Sequence, residues 1–233
     1  MFSQGQFTGS SCSIGDKNPD FFEMLSKEEK ELLDQHTVTA RYQKGEMVCK
    51  QRTFASHIMI LEQGLVKSFI EADCGNLILQ IFAPGATIGL ASLIEGNTYF
   101  QYSVQTYVES ELKLIEITAF KNILKTNPLF ARKVISLLAE QHVITSGRFF
   151  CFTKKQTFGR LADVILCLSE RIYKSSSFPL HLNRKDIAEL SCMSVESIAR
   201  IITKFKEEGL IEEHDDQLII MDSEKLRMIS EHG

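Results

Sequence analysis

No run of apolar residues in this 233-residue chain is long enough to span a bilayer. The opening Met1-Phe2-Ser3-Gln4-Gly5 lacks the basic and apolar regions of a secretory signal. Together these absences predict a cytoplasmic protein without a membrane partner. Cysteines are few and scattered, at 12, 49, 74, 151, 167 and 192, with no CxxC pair. Neither a zinc site nor a redox motif is signalled, and in a reducing compartment the thiols are expected to be free. Cys151, Cys167 and Cys192 fall in apolar-periodic segments and read as small core residues. There is no P-loop, Gly-x-Ser-x-Gly, HExxH or motif-bound Cys–His pair, so no enzyme and no metal site are expected. Positive charge is not in excess either. The net charge of −4 excludes a protein that is basic throughout.

Charge is nevertheless unevenly placed. From Lys154 to Lys206 there are ten positive residues against five negative ones, a net +5, which leaves −9 for the remainder. A basic segment in an acidic chain suits a DNA-binding domain joined to something else. A solvated basic face would give the same count.

Inside that segment lies Asn183 to Leu210, which reads as two short helices and a tight turn. Asn183 is placed to cap the first helix, and Ile187, Ala188 and Leu190 make its apolar side. Ser191-Cys192-Met193 forms the turn, and Ser194 caps the second helix. Ile198, Ile201, Ile202 and Phe205 form a buried stripe, with Glu196, Arg200, Thr203 and Lys204 opposite it. Gly209 ends the helix. This is the build of a helix-turn-helix whose second helix presents polar side chains, and a major groove accepts a helix of that width. Arg200 can donate two bonds to a guanine edge, and Glu196 can accept from a cytosine or adenine amino group. The plain alternative is an i,i+4 ion pair on a solvated face.

Elsewhere the pattern changes twice. Residues 1–17 read as a mobile leader, and 21–34 as a short helix begun by Ser26. From Val38 to about Ile117, short Val/Ile/Leu/Phe/Tyr runs alternate with glycine turns, predicting an antiparallel barrel or sandwich. The runs are 57–61, 65–71, 77–82, 103–108 and 112–117. A long helix follows from Pro128, with Ile135, Leu138, His142, Thr145, Phe149 and Phe152 at 3-4-3-4-3 spacing. That spacing marks a two-stranded seam, set against a helix packed on its own domain. Lys154 to Tyr173 reads as one further helix. Leu210-Ile211 and Leu218-Ile219-Ile220 flank His214-Asp215-Asp216 as a small hairpin, and 223–231 form a last helix.

A glycine-punctuated barrel, a long dimer helix and a winged helix-turn-helix, in that order, resemble the Crp/Fnr family of transcription regulators. The resemblance spans nearly the whole chain. It rests on KGE at 44–46, PG at 84–85 with IGL at 88–90, FGRLAD at 158–163 and SVESIARII at 194–202. It implies an α+β chain with a double-stranded β-helix, or jelly-roll, sensor barrel over 18–126. A dimerisation helix over 127–153 and a winged helix-turn-helix over 154–233 follow. It also implies a homodimer on double-stranded DNA with a pseudo-palindromic operator, and RNA polymerase as a partner. Ser194, Val195, Glu196, Ser197, Arg200 and Lys204 fall on the DNA side. The Val-Glu-x-x-x-Arg order is closer to the Fnr branch, for which a TTGA-like half-site fits. Ala199 departs from a serine of that branch.

The resemblance also places an effector pocket at Gly89, Leu90, Phe100, Gln101, Thr145 and Ser146. Leu90 and Phe100 stand where cyclic-AMP-binding members carry glutamate and arginine, and Gln101 stands where they carry serine. A buried cyclic phosphate needs a cation or backbone donors, so cyclic AMP is not expected. An uncharged or apolar effector, or side chains filling the space, fits better. One leader cysteine, Cys12, is too few for an Fnr-type iron–sulfur cluster. His142 and His57 are conceivable haem ligands, against the plainer reading of satisfied or exposed histidines. A haem or redox sensor acting through protein contacts is therefore the alternative to an operator-reading regulator.

Overall fold

The structure is a computed structural model and describes residues 22–232. The predicted leader, Cys12 included, lies outside the described residues. The chain divides into two compact units, one ending at Gln141 and one beginning at His142.

The first unit opens with helix α1, Lys27–Gln35. Its capping box pairs the Ser26 hydroxyl with the Glu29 N–H, and the Glu29 carboxylate with the Ser26 N–H. Eight strands follow: β1 Thr37–Tyr42, β2 Met47–Cys49, β3 His57–Gln63, β4 Val66–Ala72, β5 Gly75–Phe82, β6 Thr87–Ile88, β7 Ser103–Thr106 and β8 Ser110–Glu116. They form two antiparallel sheets, ordered β1-β8-β3-β6 and β2-β7-β4-β5. That interleaving is the jelly roll expected from the sequence. Short strands with one inward face bury Met59, Leu61, Val66, Phe82, Ile88, Phe100, Val104 and Leu112 in one core. The β3–β4 turn needs glycine at 64, where φ is 101° and a Cβ would fall on Ser110.

A second core covers Ile58, Ile60 and Ile115 with α1, helix α2 (Ile117–Thr126) and the start of helix α3 (Pro128–Lys154). Phe120 and Phe130 meet edge to face at 5.3 Å. Helix α3 begins cleanly. Pro128 takes the first position, where no N–H is needed, and the Asn127 side chain accepts from the Phe130 N–H at 3.0 Å. This helix is apolar on two sides. Phe130, Val134 and Leu137 are buried, while Ile135 is 65% and Leu138 is 38% exposed. Packing on its own domain and a free apolar stripe are both present, on different faces.

The second unit takes the rest of α3 and adds helix α4 (Thr157–Cys167), strand β9 (Ser177–Pro179), helix α5 (Arg184–Ser191) and helix α6 (Val195–Glu207). Strands β10 (Ile211–His214) and β11 (Gln217–Ile220) and helix α7 (Ser223–His232) complete it. The further helix expected from Lys154 to Tyr173 is present as α4, with both of its ends corrected. Lys155 and Gln156 break it from α3, and residues 168–173 wind into a π-helical turn. The apolar period of Leu161, Val164, Ile165, Leu168 and Ile172 continues across the second change, so it could not report that one. Strands β10, β11 and β9 form a small sheet in the order β10-β11-β9.

Candidate nucleic-acid interface

The reading head is built from local signals. Asn183 caps α5 by accepting from the Asp186 N–H at 2.8 Å, while the Asp186 carboxylate accepts from the Asn183 N–H. Ile187, Ala188 and Leu190 then turn inward. The turn is made at Cys192, whose φ of 52° lies in the left-handed region. Cys192 is therefore exposed and not a core residue, unlike Cys151 and Cys167, which are buried as expected. Partial burial pushes its thiol above the ordinary value, against the opposing fields of Arg148 and Arg160. Ser194 caps α6 by accepting from the Ser197 N–H at 3.2 Å.

Helix α6 buries Ile198, Ile201, Ile202 and Phe205, each 3% exposed or less. Glu196, Ala199, Arg200, Thr203 and Lys204 are exposed, as is Val195 at 44%. Glu196 and Arg200 share a face one turn apart, yet among the described residues no ion pair joins them. Both side chains face solvent. The Thr203 hydroxyl donates to the Ala199 carbonyl at 3.0 Å, so it is engaged with its own backbone. Lys204 lies 3.8 Å from both Glu207 and Glu208.

Residues that sequence reading missed hold this head in place. Arg148, on α3, donates to the Leu190 carbonyl at 2.8 Å, and its guanidinium lies 4.9 Å from the Phe152 ring. Arg160 donates to the Cys192 carbonyl at 3.2 Å. Two cations thus meet the negative C-terminal end of α5. Below them Asp163 accepts from Lys155 at 2.7 Å, from the Cys151 thiol at 3.2 Å and from Ser230. Arg160 and Asp163 belong to the FGRLAD motif, which is the only signal that marked them. Nothing in the sequence pairs Arg148 with residue 190.

Of the six residues assigned to an effector pocket, Gly89, Leu90, Phe100 and Gln101 belong to the first unit and Thr145 and Ser146 to the second. Gly89 is left-handed, with φ of 96°, and its N–H donates to the Tyr102 hydroxyl at 3.0 Å. Burial pushes that phenol up to about 12. Leu90 is buried in the core beneath α2 and α3, and Phe100 in the core between the sheets. Gln101 is exposed, its amide donating to Asn97 at 3.0 Å. Thr145 and Ser146 are exposed on the part of α3 that belongs to the second unit. A cavity of about 30 Å³ beside Leu90 is lined by Gln80, Phe82, Thr87, Leu137 and Glu140, among others. A larger one, about 220 Å³, lies under α1 between Phe22, Leu25, Leu33, Ile60 and Ile115. It involves none of the six. His57 meets the Ser56 hydroxyl at 2.7 Å, and His142 is exposed.

Along α3, Ile135, Leu138, His142, Thr145 and Phe149 are all exposed, Phe149 at 70%. Phe152 is half-buried against Arg148. No helix among the described residues is long and apolar enough to cross a membrane.

Comparison with known proteins agrees with this architecture. Residues 39–127 match the family model of the cyclic nucleotide-binding domain, and residues 159–229 that of the Crp-like helix-turn-helix domain. The chain is 24% identical over 194 residues to electron transport regulator A of Shewanella oneidensis, covering 81% of this chain and 76% of that one. It is 24% identical over 208 residues to the transcriptional activator protein anr of Pseudomonas aeruginosa, covering 87% and 84%. The solved structure of FixK2 from Bradyrhizobium japonicum superposes with a TM-score of 0.75 at 16% identity, over 83% of this chain and 96% of that one. The relatives are regulators and not enzymes, and with barrel, long helix and winged reading head in their order, the chain belongs to the Crp/Fnr family of DNA-binding transcription regulators.

Proposed function

We propose that the chain acts as a homodimer that reads a pseudo-palindromic operator, with α6 of each copy in a major groove. The observation that carries this reading is the exposed Glu196–Arg200 face, held by two capped helices and left without an internal ion pair. The exposed stripe Ile135, Leu138 and Phe149 supplies a two-fold seam, and two-fold symmetry sets half-sites about one helical turn apart. Arg200→Ala is expected to weaken operator binding by about 1–3 kcal/mol and to relax selectivity at one base pair. Lys204→Ala is expected to weaken operator and random DNA alike, through a lost phosphate contact. Gel-shift titrations on single-base operator variants check both. Equal losses on operator and random DNA for Arg200→Ala would overturn its base-reading role.

The barrel is not built for a cyclic phosphate. Leu90 and Phe100 offer no charge, and the Gly89 N–H is already taken by Tyr102. The effector, where one acts, is an uncharged or apolar molecule, and self-filling by side chains is the second reading. Calorimetry with cyclic AMP is expected to show no uptake at micromolar concentration, and operator affinity is expected to stay unchanged on its addition. The protein works inside the cell, where its DNA is.

A further inference from the structure

We infer that the wing and the last turn of α6 form a DNA-repelling edge, with Glu212, Asp215 and Asp216 as the residues that hold backbone-driven DNA binding down. This rests on the operator-reading function proposed above. From Glu207 to Asp216 the chain carries six carboxylates and neither lysine nor arginine. It follows directly on the basic segment that holds Arg200 and Lys204.

The structure shows how these charges are disposed. Glu213 takes a hydrogen bond from Arg184 at 2.5 Å and an ion pair from Lys206 at 3.4 Å. Glu208 lies 3.8 Å from Lys204 and 3.6 Å from Lys225. Cations flanking the reading helix are thereby occupied by protein carboxylates before any phosphate arrives. Among the described residues Glu212 meets only the imidazole of His214, at 3.2 Å. Asp215 and Asp216 are exposed at the hairpin tip and, among the described residues, form no ion pair. They hold φ of 45° and 64°, as a two-residue turn of type I′ requires, so the tip is a formed structure that presents both carboxylates.

A hairpin meant to grip the DNA backbone would present lysine or arginine, since each neutralised phosphate releases counterions. Carboxylates within a Debye length of about 10 Å of phosphates do the reverse. Random DNA is held almost wholly by the backbone contribution, whereas the operator adds base contacts from Glu196 and Arg200. An acidic edge removes affinity from the part that carries no sequence information, and leaves binding dependent on the bases.

The test is the triple variant Glu212→Gln, Asp215→Asn, Asp216→Asn. Asparagine tolerates the left-handed turn, so the hairpin is kept. Fluorescence anisotropy with a random duplex and with a palindrome of TTGA-like half-sites, from low salt upward, gives the readout. Random-duplex affinity is expected to rise about 3- to 10-fold near 0.1 M salt, and the gain to fade toward 0.5 M as screening takes over. Glu213→Gln, which releases Arg184 and Lys206, is expected to move it in the same direction. Unchanged or weaker random-duplex binding in both variants would overturn the inference while leaving operator reading intact. Absence of any DNA binding by the unaltered protein at low salt would overturn operator reading itself, and this inference with it.

Discussion

Ile135→Glu combined with Phe149→Glu is expected to give a folded monomer that no longer binds the operator as a stable complex. Both side chains are largely exposed in the single chain, at 65% and 70%, so neither holds its own domain together. In a two-fold seam the same residues meet their symmetry mates, and the variant would bring four carboxylates into one apolar strip. Burying an unpaired carboxylate is far more costly than the few kcal/mol a helix seam supplies there. A monomer engages one half-site at a time, and the loss of bivalency alone is worth about 100-fold or more in affinity. Sedimentation and circular dichroism would show a monomer with intact helices. A dimer of unchanged affinity would move the interface to another face.

The second large effect concerns Asp163. It and Lys155 are 9% and 7% exposed, and their contact at 2.7 Å ties the start of the DNA-binding domain to α4. Asp163→Ala removes the carboxylate that Lys155, Cys151 and Ser230 all face. It is expected to destabilise the domain by about 3–5 kcal/mol, because a buried charge loses its partner. Replacing both partners, Lys155→Met with Asp163→Leu, is expected to recover most of that loss. Two apolar groups of similar size carry no desolvation debt. Denaturant unfolding followed by circular dichroism compares the two. A double variant as unstable as the single one would show that the hydrogen bonds, and not the charges, hold the joint.

The helix-turn-helix was almost fully legible in the sequence, because its signals are local. Asn183 and Ser194 are caps within three residues of the N–H groups they serve, and the Ile198-to-Phe205 stripe is a helical period. The long barrel strands were legible for a related reason, as apolar runs between glycines. β1, β2 and β6 were not distinguished individually. Thr37–Tyr42 mixes polar and apolar residues, and Thr87–Ile88 is only two residues, so their pairing is decided by partners far along the chain. The π-helical turn at 168–173 was hidden because the apolar period of α4 runs through it. Cys192 departs from the core for a different reason: it sits in an apolar-periodic segment but at a left-handed position. Arg148 and Asp163 make contacts 42 and 67 residues away in sequence, which no spacing rule reports. Leu90 and Phe100, assigned to one pocket by the resemblance, belong to two different buried clusters.

The hairpin tip at Asp215 and Asp216 sets stability against restraint. Asparagine followed by glycine suits a two-residue turn of this kind best, and both aspartates bear the strain of positive φ. Asp215→Asn with Asp216→Gly would be expected to firm the hairpin by several tenths of a kcal/mol to about 1 kcal/mol. A selection for thermostability alone would therefore drift toward a tighter wing with two fewer negative charges, and so toward a regulator that is harder to melt and slower to leave the wrong DNA.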